Sequence, residues 1–98
     1  MLEVRLTPDF SSWLNELKDR RAQDRIVARL RRFEFGNLGD VKPVGHGISE
    51  ARIDYGPGYR LYFVRHHSVV MILLCGGTKK SQKADIATAR AMTKELGQ

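Results

Sequence analysis

The sequence predicts an α+β fold in which an N-terminal helical hairpin packs on a mostly antiparallel four-stranded sheet and a last helix closes the chain. Three observations predict it. Apolar residues recur at helical spacing at Phe10, Trp13, Leu14 and Leu17, and again at Ala22, Ile26, Leu30 and Phe33. From residue 48 the period falls to that of strands, over 48–54, 59–66 and 69–75. A helical pattern returns after Ser81. With 98 residues, one domain spanning 1–98 is expected, without room for a second core.

Taken in order, Glu3, Val4, Arg5 and Leu6 alternate in polarity and make a short first strand. Thr7-Pro8-Asp9 is a helix start: threonine caps, proline suits the first helical position, and Asp9 meets the positive end of the dipole. Trp13 reads as a core anchor rather than a base-stacking platform. Asp19 caps a second helix running to about Phe35, and Gly36 ends it because glycine accepts the left-handed conformation. Arg20, Arg21, Arg25, Arg29, Arg31 and Arg32 crowd the other faces of this helix. They read as a solvated face that attracts polyanions in general, the alternative being a grip on a phosphate backbone. The short link between the helices makes them an antiparallel hairpin.

Residues 37–47 read as a glycine-rich loop holding Lys42, Pro43 and His46. Three strands follow, joined by Tyr55-Gly56-Pro57-Gly58 and by a tight turn at His67-Ser68. The last strand is apolar on both faces, as an interior strand is. Gly76-Gly77 is expected to interrupt the sheet. Ser81 then caps the closing helix, whose Ile86, Ala89, Thr93 and Leu96 form a weak apolar stripe.

Composition narrows the function classes. Hydrophobic residues at 42% and charged residues at 29% exclude a disordered tail. A formal charge of +6, from 17 Lys+Arg against 11 Asp+Glu, favours polyanionic partners. No run approaches the roughly 20 apolar residues that a membrane span needs. Glu3 and Arg5 break any apolar export signal, so a cytoplasmic protein without membrane association is expected. Cys75 has no internal disulfide partner and reads as a small buried hydrophobe. Together with the three histidines it shows no ligand spacing, so neither a metal nor a cofactor is expected.

The hairpin register locates the chemistry. Ala51 and Ile53 belong in the core, as do Leu61 and Phe63. Satisfying both pairs puts Glu50, Arg52 and Asp54 on one outward, exposed face with Arg60 and Tyr62. Cross-strand ion pairing is the structural reading of that face and is worth little at a surface. The functional reading is a surface for RNA phosphate and ribose. RNA is cut without metal when its 2′-hydroxyl attacks the adjacent phosphorus. The protein must then take that proton, stabilise the pentacoordinate phosphate and protonate the leaving 5′-oxygen. Arg60 and Arg52 suit the phosphate, because a planar guanidinium holds two oxygens and stays charged. Glu50 is the candidate base, and Lys79 and Lys80 could add charge or a proton. Tyr55 and Tyr62 are candidates for stacking on bases; Tyr59 faces inward and is the weakest of the three. Lys42, His46 and Lys83 complete the candidate RNA contacts. His66 and His67 read as exposed turn residues.

The run Glu50-Ala51-Arg52-Ile53-Asp54-Tyr55-Gly56-Pro57-Gly58-Tyr59-Arg60-Leu61-Tyr62-Phe63 carries a resemblance, as does Leu74-Cys75-Gly76-Gly77-Thr78-Lys79-Lys80-Ser81-Gln82-Lys83-Ala84-Asp85-Ile86 after it. Together they resemble the phage-derived addiction-module killer proteins, a group similar to HigB in the RelE/ParE superfamily. The resemblance covers almost the whole chain. It implies a RelE-like fold and a type II toxin neutralised by a cognate antitoxin, often a helix-turn-helix protein encoded beside it. It further implies an endoribonuclease (mRNA interferase) that cuts mRNA on the ribosome without metal and so stops translation. Arg60 falls where such toxins carry a phosphate-binding arginine. Lys79 and Lys80 fall near the position where relatives place an arginine or histidine, and the missing histidine leaves the general acid open. ParE-type relatives share the fold but inhibit DNA gyrase without cutting RNA, and they have no need of convergent Arg52, Arg60, Tyr62, Lys79 and Lys80. A decayed toxin that keeps only antitoxin binding is the third reading. The alanine-rich last helix, with Ala84, Ala87, Ala89 and Ala91, is the expected place of antitoxin docking.

Overall fold

One threonine joins the first two elements in the computed structural model, which describes residues 1–97. Strand β1 (Glu3–Leu6) passes into helix α1 (Pro8–Glu16) at Thr7. The Thr7 hydroxyl accepts from the Phe10 amide at 3.1 Å and donates to the Leu74 carbonyl at 2.7 Å, so the helix cap is also tied to the sheet. Helix α2 (Arg20–Glu34) starts at Asp19, whose carboxylate accepts from the amides of Arg21 and Ala22. It ends as expected at Gly36, which is left-handed at φ +81°. The Gly36 and Asn37 amides close back on the Phe33 and Arg32 carbonyls, the Schellman arrangement.

The sheet has five strands rather than the expected four, in the order β1-β5-β4-β3-β2. The added strand, β2 (Val41–Gly45), lies in the segment that reads as a loop. Its proline and glycine hide it, yet Pro43 is tolerable because β2 is an edge strand, where a missing amide breaks no ladder bond. Strands β3 (Ile48–Ile53), β4 (Tyr59–His66) and β5 (Val70–Thr78) follow, and only β1 with β5 is a parallel pair. The β4–β5 turn holds His67 and Ser68 left-handed at φ 53° and 62°, the combination that follows strand twist.

Strand β5 does not break at its glycines: Gly76 pairs with Leu61 and Gly77 with Arg60. The glycines are there because two side chains need the space. A Cβ on Gly76 would meet the Trp13 indole, and one on Gly77 would meet Asp85 and come 2.8 Å from the Ser81 hydroxyl. A bulge opposite Tyr62 and Phe63 leaves Leu74 outside the paired register. That frees its carbonyl for Thr7 and turns Leu74 and Cys75 to the same face.

Both faces of the sheet are covered. On one, Phe10 and Leu14 of α1 and Ala22, Ile26 and Phe33 of α2 pack on Ala51, Ile53, Leu61, Phe63 and Leu73. Trp13 lies at the margin of this core, 5.5 Å from the Phe10 ring and 6.3 Å from the Tyr59 ring. On the other face α3 (Gln82–Glu95) sets Ala89, with Ile86 and Met92, against Ile48, Tyr62, Val64, Leu74 and Cys75. Leu96, expected in that stripe, is 45% exposed and Met92 takes its place. A 3-10 turn (Lys79–Ser81) precedes α3, and Ser81 serves it rather than capping α3: its hydroxyl accepts from the Thr78 amide and donates to Asp85. Cys75 is buried, and burial first, then Asp85, pushes its thiol up to about 12, leaving an unreactive hydrophobe. No helix of the described residues is long and apolar enough to cross a membrane.

Candidate functional site

The β3–β4 register is the expected one. Glu50 lies opposite Tyr62, Ala51 opposite Leu61 and Arg52 opposite Arg60. The face is not the open surface that the alternation implies, however, because α3 lies over half of it. Glu50 and Tyr62 have no exposed surface, and Arg60 is only 9% exposed. What stays open is a cleft of about 400 Å³ at the mouth of the β3–β4 hairpin. Arg52, Arg60 and Lys79 reach it, with Asp40 and Asp54 and the loop Gly56-Pro57-Gly58.

Gly58 assembles the cationic side. At φ +79° it holds a conformation open to glycine, and a Cβ there would stand 2.7 Å from Arg60 Nη1. Its carbonyl accepts from Arg60 Nη1 at 2.9 Å and from the Lys79 amide at 2.8 Å. One peptide group thus anchors the Arg60 guanidinium and the backbone of Lys79. The Nε of Arg60 is buried without a hydrogen-bond partner, and among the described residues no carboxylate pairs with this guanidinium.

Arg52 is held from behind. Its Nε donates to Glu50 at 3.1 Å, its amide to the Asp40 carbonyl at 2.9 Å, and its carbonyl accepts from Arg29 Nη2 at 2.8 Å. The other Glu50 oxygen accepts from the Tyr62 hydroxyl at 3.0 Å and from Gln82 Nε2 at 2.7 Å. Burial pushes the Glu50 carboxyl up, but hydrogen bonds from Gln82, Arg52 and Tyr62 and the Lys42 charge outweigh it. The net effect lies below the usual glutamate value. Glu50 is therefore an ionised, fully engaged anchor, which corrects its expected role as the base. Tyr62 is corrected too: its ring lies under α3, and burial, followed by Glu50, pushes its hydroxyl pKa up, so it cannot stack on a base.

The remaining candidates spread out. Lys79 lines the cleft, whereas Lys80 and Lys83 are exposed beside it on the 3-10 turn and the first turn of α3. Lys42 stands opposite Glu50 on the same face of β2 and is exposed. His46 is brought elsewhere. It occupies the β2–β3 turn at φ 56° and lines a separate cavity of about 270 Å³ with Arg90, Thr93 and Lys94. Four residues of strand, roughly 13 Å, separate the start of β3 from Arg52. Tyr55 lies outside the cleft lining: its hydroxyl donates to Asp19 at 3.0 Å, which raises its pKa, and Arg25 sits 4.6 Å over its ring. Sequence reasoning missed Asp40, Gln82 and Arg29. Asp40 lay in the apparent loop, and the contacts of the other two run between elements far apart in sequence. Burial, then Arg32, lowers the Arg29 pKa.

The fold is shared with the toxin–antitoxin complex RelBE2 from Mycobacterium tuberculosis. The match has a TM-score of 0.59 and 24% identity, covering 80% of this chain and 98% of that one. At the level of sequence the chain belongs to the phage-derived Gp49-like protein family (DUF891), whose model matches residues 12–96 and so includes every residue lining the cleft. An uncharacterized protein of Haemophilus influenzae (strain Rd) is 48% identical over 96 residues, 98% of this chain and 97% of its own length.

Proposed function

We propose that this chain, as a single domain over residues 1–98, is the HigB-like toxin of a type II toxin–antitoxin pair. It acts in the cytoplasm as an endoribonuclease that cuts mRNA on the ribosome without metal. The observation that carries the reading is Arg60. A buried guanidinium with an unpartnered Nε and no counter-ion is costly, and a phosphate entering the cleft would satisfy it. Arg52, aimed by Glu50, supplies the second fork on the phosphate. Lys79 stands beside Arg60 through Gly58 and is the donor for the leaving 5′-oxygen.

With Glu50 engaged, the proton of the attacking 2′-hydroxyl goes to a carboxylate of the cleft. Asp40 already offsets the charge of Arg29, whereas Asp54 is exposed and has no hydrogen bond or ion pair among the described residues. Asp54 is the base in this reading. Lys42, Lys80 and Lys83 add attraction for the RNA around the rim. The antitoxin, expected to be a helix-turn-helix protein, is supported as a partner by the toxin–antitoxin complex that shares this fold.

The products of cutting on programmed ribosomes test the mechanism. A 2′,3′-cyclic or 3′-phosphate with a free 5′-hydroxyl is expected, and a 5′-phosphate would refute the route through the 2′-hydroxyl. Pulse labelling after induction tests the target. Protein synthesis should stop first; early arrest of DNA synthesis with translation intact would replace the nuclease with a gyrase inhibitor.

A further inference from the structure

We infer that the arginine face of α2 is a second backbone-binding site, which takes single-stranded RNA as it leaves the cleft. The inference rests on the reading that the cleft holds a phosphate, and it adds a track that the cleft does not supply. Arg25, Arg29 and Arg32 follow one another at four and three residues along α2 and therefore share one face. With Ala28, Ile53 and Asp54 they line a recess of about 280 Å³. Ile53 and Asp54 also line the cleft of Arg60, so the two depressions adjoin across this saddle.

Like charges at this spacing destabilise a helix. No carboxylate closes an ion pair with them: among the described residues the ion pairs are Arg5 with Glu3 and Arg52 with Glu50, neither on α2, and Asp40 offsets only part of the charge, at Arg29. Two of the three cations are also held in place, Arg25 and Arg29, while Arg32 is exposed. Arg25 rests on the Tyr55 ring, which Asp19 fixes through its hydroxyl. Arg29 is spent on the backbone, donating to the carbonyls of Arg52 and Leu38, and so locks the recess to the strand that carries Arg52. Burial and the neighbouring Arg32 both press against its charge. Arg25 and Arg32 are left with guanidinium groups unpaired by carboxylate. A small residue between them, Ala28, leaves room for a sugar–phosphate backbone to lie close. The recess is thus contiguous with a phosphate site and sets three arginines against one lining carboxylate, Asp54, a net positive charge that selects a polyanion continuing from that site.

The test is equilibrium binding by the full chain of two 2′-O-methyl RNAs, which cannot be cut because the attacking hydroxyl is blocked. One is a trinucleotide that fits the cleft alone; the other is a single-stranded 12-mer. Each is titrated against salt with wild type and with the Arg25→Gln/Arg32→Gln double variant. Each phosphate contact on a single strand contributes about 0.7 to the slope of log affinity against log salt. Losing two should flatten the 12-mer slope by about 1.4. Its salt sensitivity between about 50 and 200 mM would then fall roughly sevenfold. Trinucleotide binding should not change. Arg25→Lys/Arg32→Lys should keep the wild-type slope, since lysine preserves the charge. Thermal unfolding of the glutamine variant should match or exceed wild type, because repulsion has been removed. An unchanged 12-mer slope in that variant overturns the second site and leaves the cleft intact. Loss of affinity for polyglutamate with RNA binding unchanged overturns it in favour of an acidic protein partner. If wild type binds neither RNA at low salt, the phosphate cleft fails along with the track.

Discussion

Arg60→Met separates the chemistry of the cleft from the stability of the fold. Alanine is the poorer choice, because the side chain is only 9% exposed and truncating its stem would leave a cavity. Methionine keeps most of the stem and removes the charge. On the stability side, the variant loses the hydrogen bond to the Gly58 carbonyl, worth roughly 1.5–3 kcal/mol for a charged donor. It also removes the buried Nε that has no partner, an unsatisfied polar group that costs about 1–3 kcal/mol. The two effects are of similar size, so unfolding free energy should hold within about 1–2 kcal/mol. At this chain length about 1 kcal/mol moves the midpoint by roughly 4–8 °C, which is easily read. On the activity side, removing a preorganised contact to the transition state costs about 2.7–4 kcal/mol, or roughly a hundred- to thousandfold in rate. Lysine should restore part of the rate, since a point charge lacks the two-pronged grip. Single-turnover cleavage on programmed ribosomes and thermal unfolding of the same preparations are the paired assays. A midpoint lowered by more than about 2 kcal/mol accounts for would refute the reasoning: Arg60 would then be a strut. Full cleavage by a stable Arg60→Met would remove it from the site.

Four further outcomes follow from the same geometry. Asp54→Asn should slow cleavage by about 10²–10⁴, and the defect should persist on RNA carrying sulfur at the leaving 5′ position. The Lys79→Ala defect should vanish on that substrate, since sulfur leaves without a proton; the opposite pattern would exchange the roles of base and acid. Glu50 should give the fold an acid limb. Its folded pKa lies below the ordinary 4.5, so the native state binds fewer protons there, and its stabilisation, complete above 4.5, is lost as pH falls through the depressed value. Urea unfolding from about pH 5 downward should show this limb in wild type and flatten it in Glu50→Gln; an unchanged limb would assign the acid sensitivity to other carboxyls. Gly76→Ala forces the Trp13 indole aside, at a cost of about 1–3 kcal/mol, with an altered tryptophan emission that a tolerated methyl would not produce.

The elements that sequence reveals are those whose ends and faces are set locally. Thr7, Asp19 and Gly36 start and stop helices through hydrogen bonds spanning at most five residues, and each acts where its type predicts. The register of β3 and β4 is equally legible, because shifting it by one residue would bury Arg52 and Arg60 among Ile53 and Leu61. Strand β2 is illegible for the converse reason. An edge strand pairs on one side, so its sequence can afford a proline and glycines that an interior strand could not. The paired glycines of β5 mislead in the same way. Read locally they are breakers, yet each makes room for a side chain, Trp13 or Asp85, arriving from a helix distant in sequence.

For the site, alternation supplies the set of residues that share a face but not what lies over them. Glu50, Arg52, Arg60 and Tyr62 do share a face, but exposure differs across it. Helix α3 decides the matter by covering one part and leaving another. Under the cover, Glu50 gathers Tyr62 and Gln82 into a buried polar network whose outward product is a fixed Arg52. Beyond its edge, the turn from Gly56 to Gly58 leaves a cleft and gives Arg60 a neighbour in Lys79, nineteen residues further on. The same four side chains are thereby divided into support and reagent. The division follows from satisfaction of hydrogen bonds. Groups with every polar atom partnered hold the site in place, and the buried nitrogen left without a partner marks where a ligand has something to supply. By that criterion Arg60, rather than the more chemically suggestive Glu50 or His46, is the residue on which the nuclease reading stands or falls.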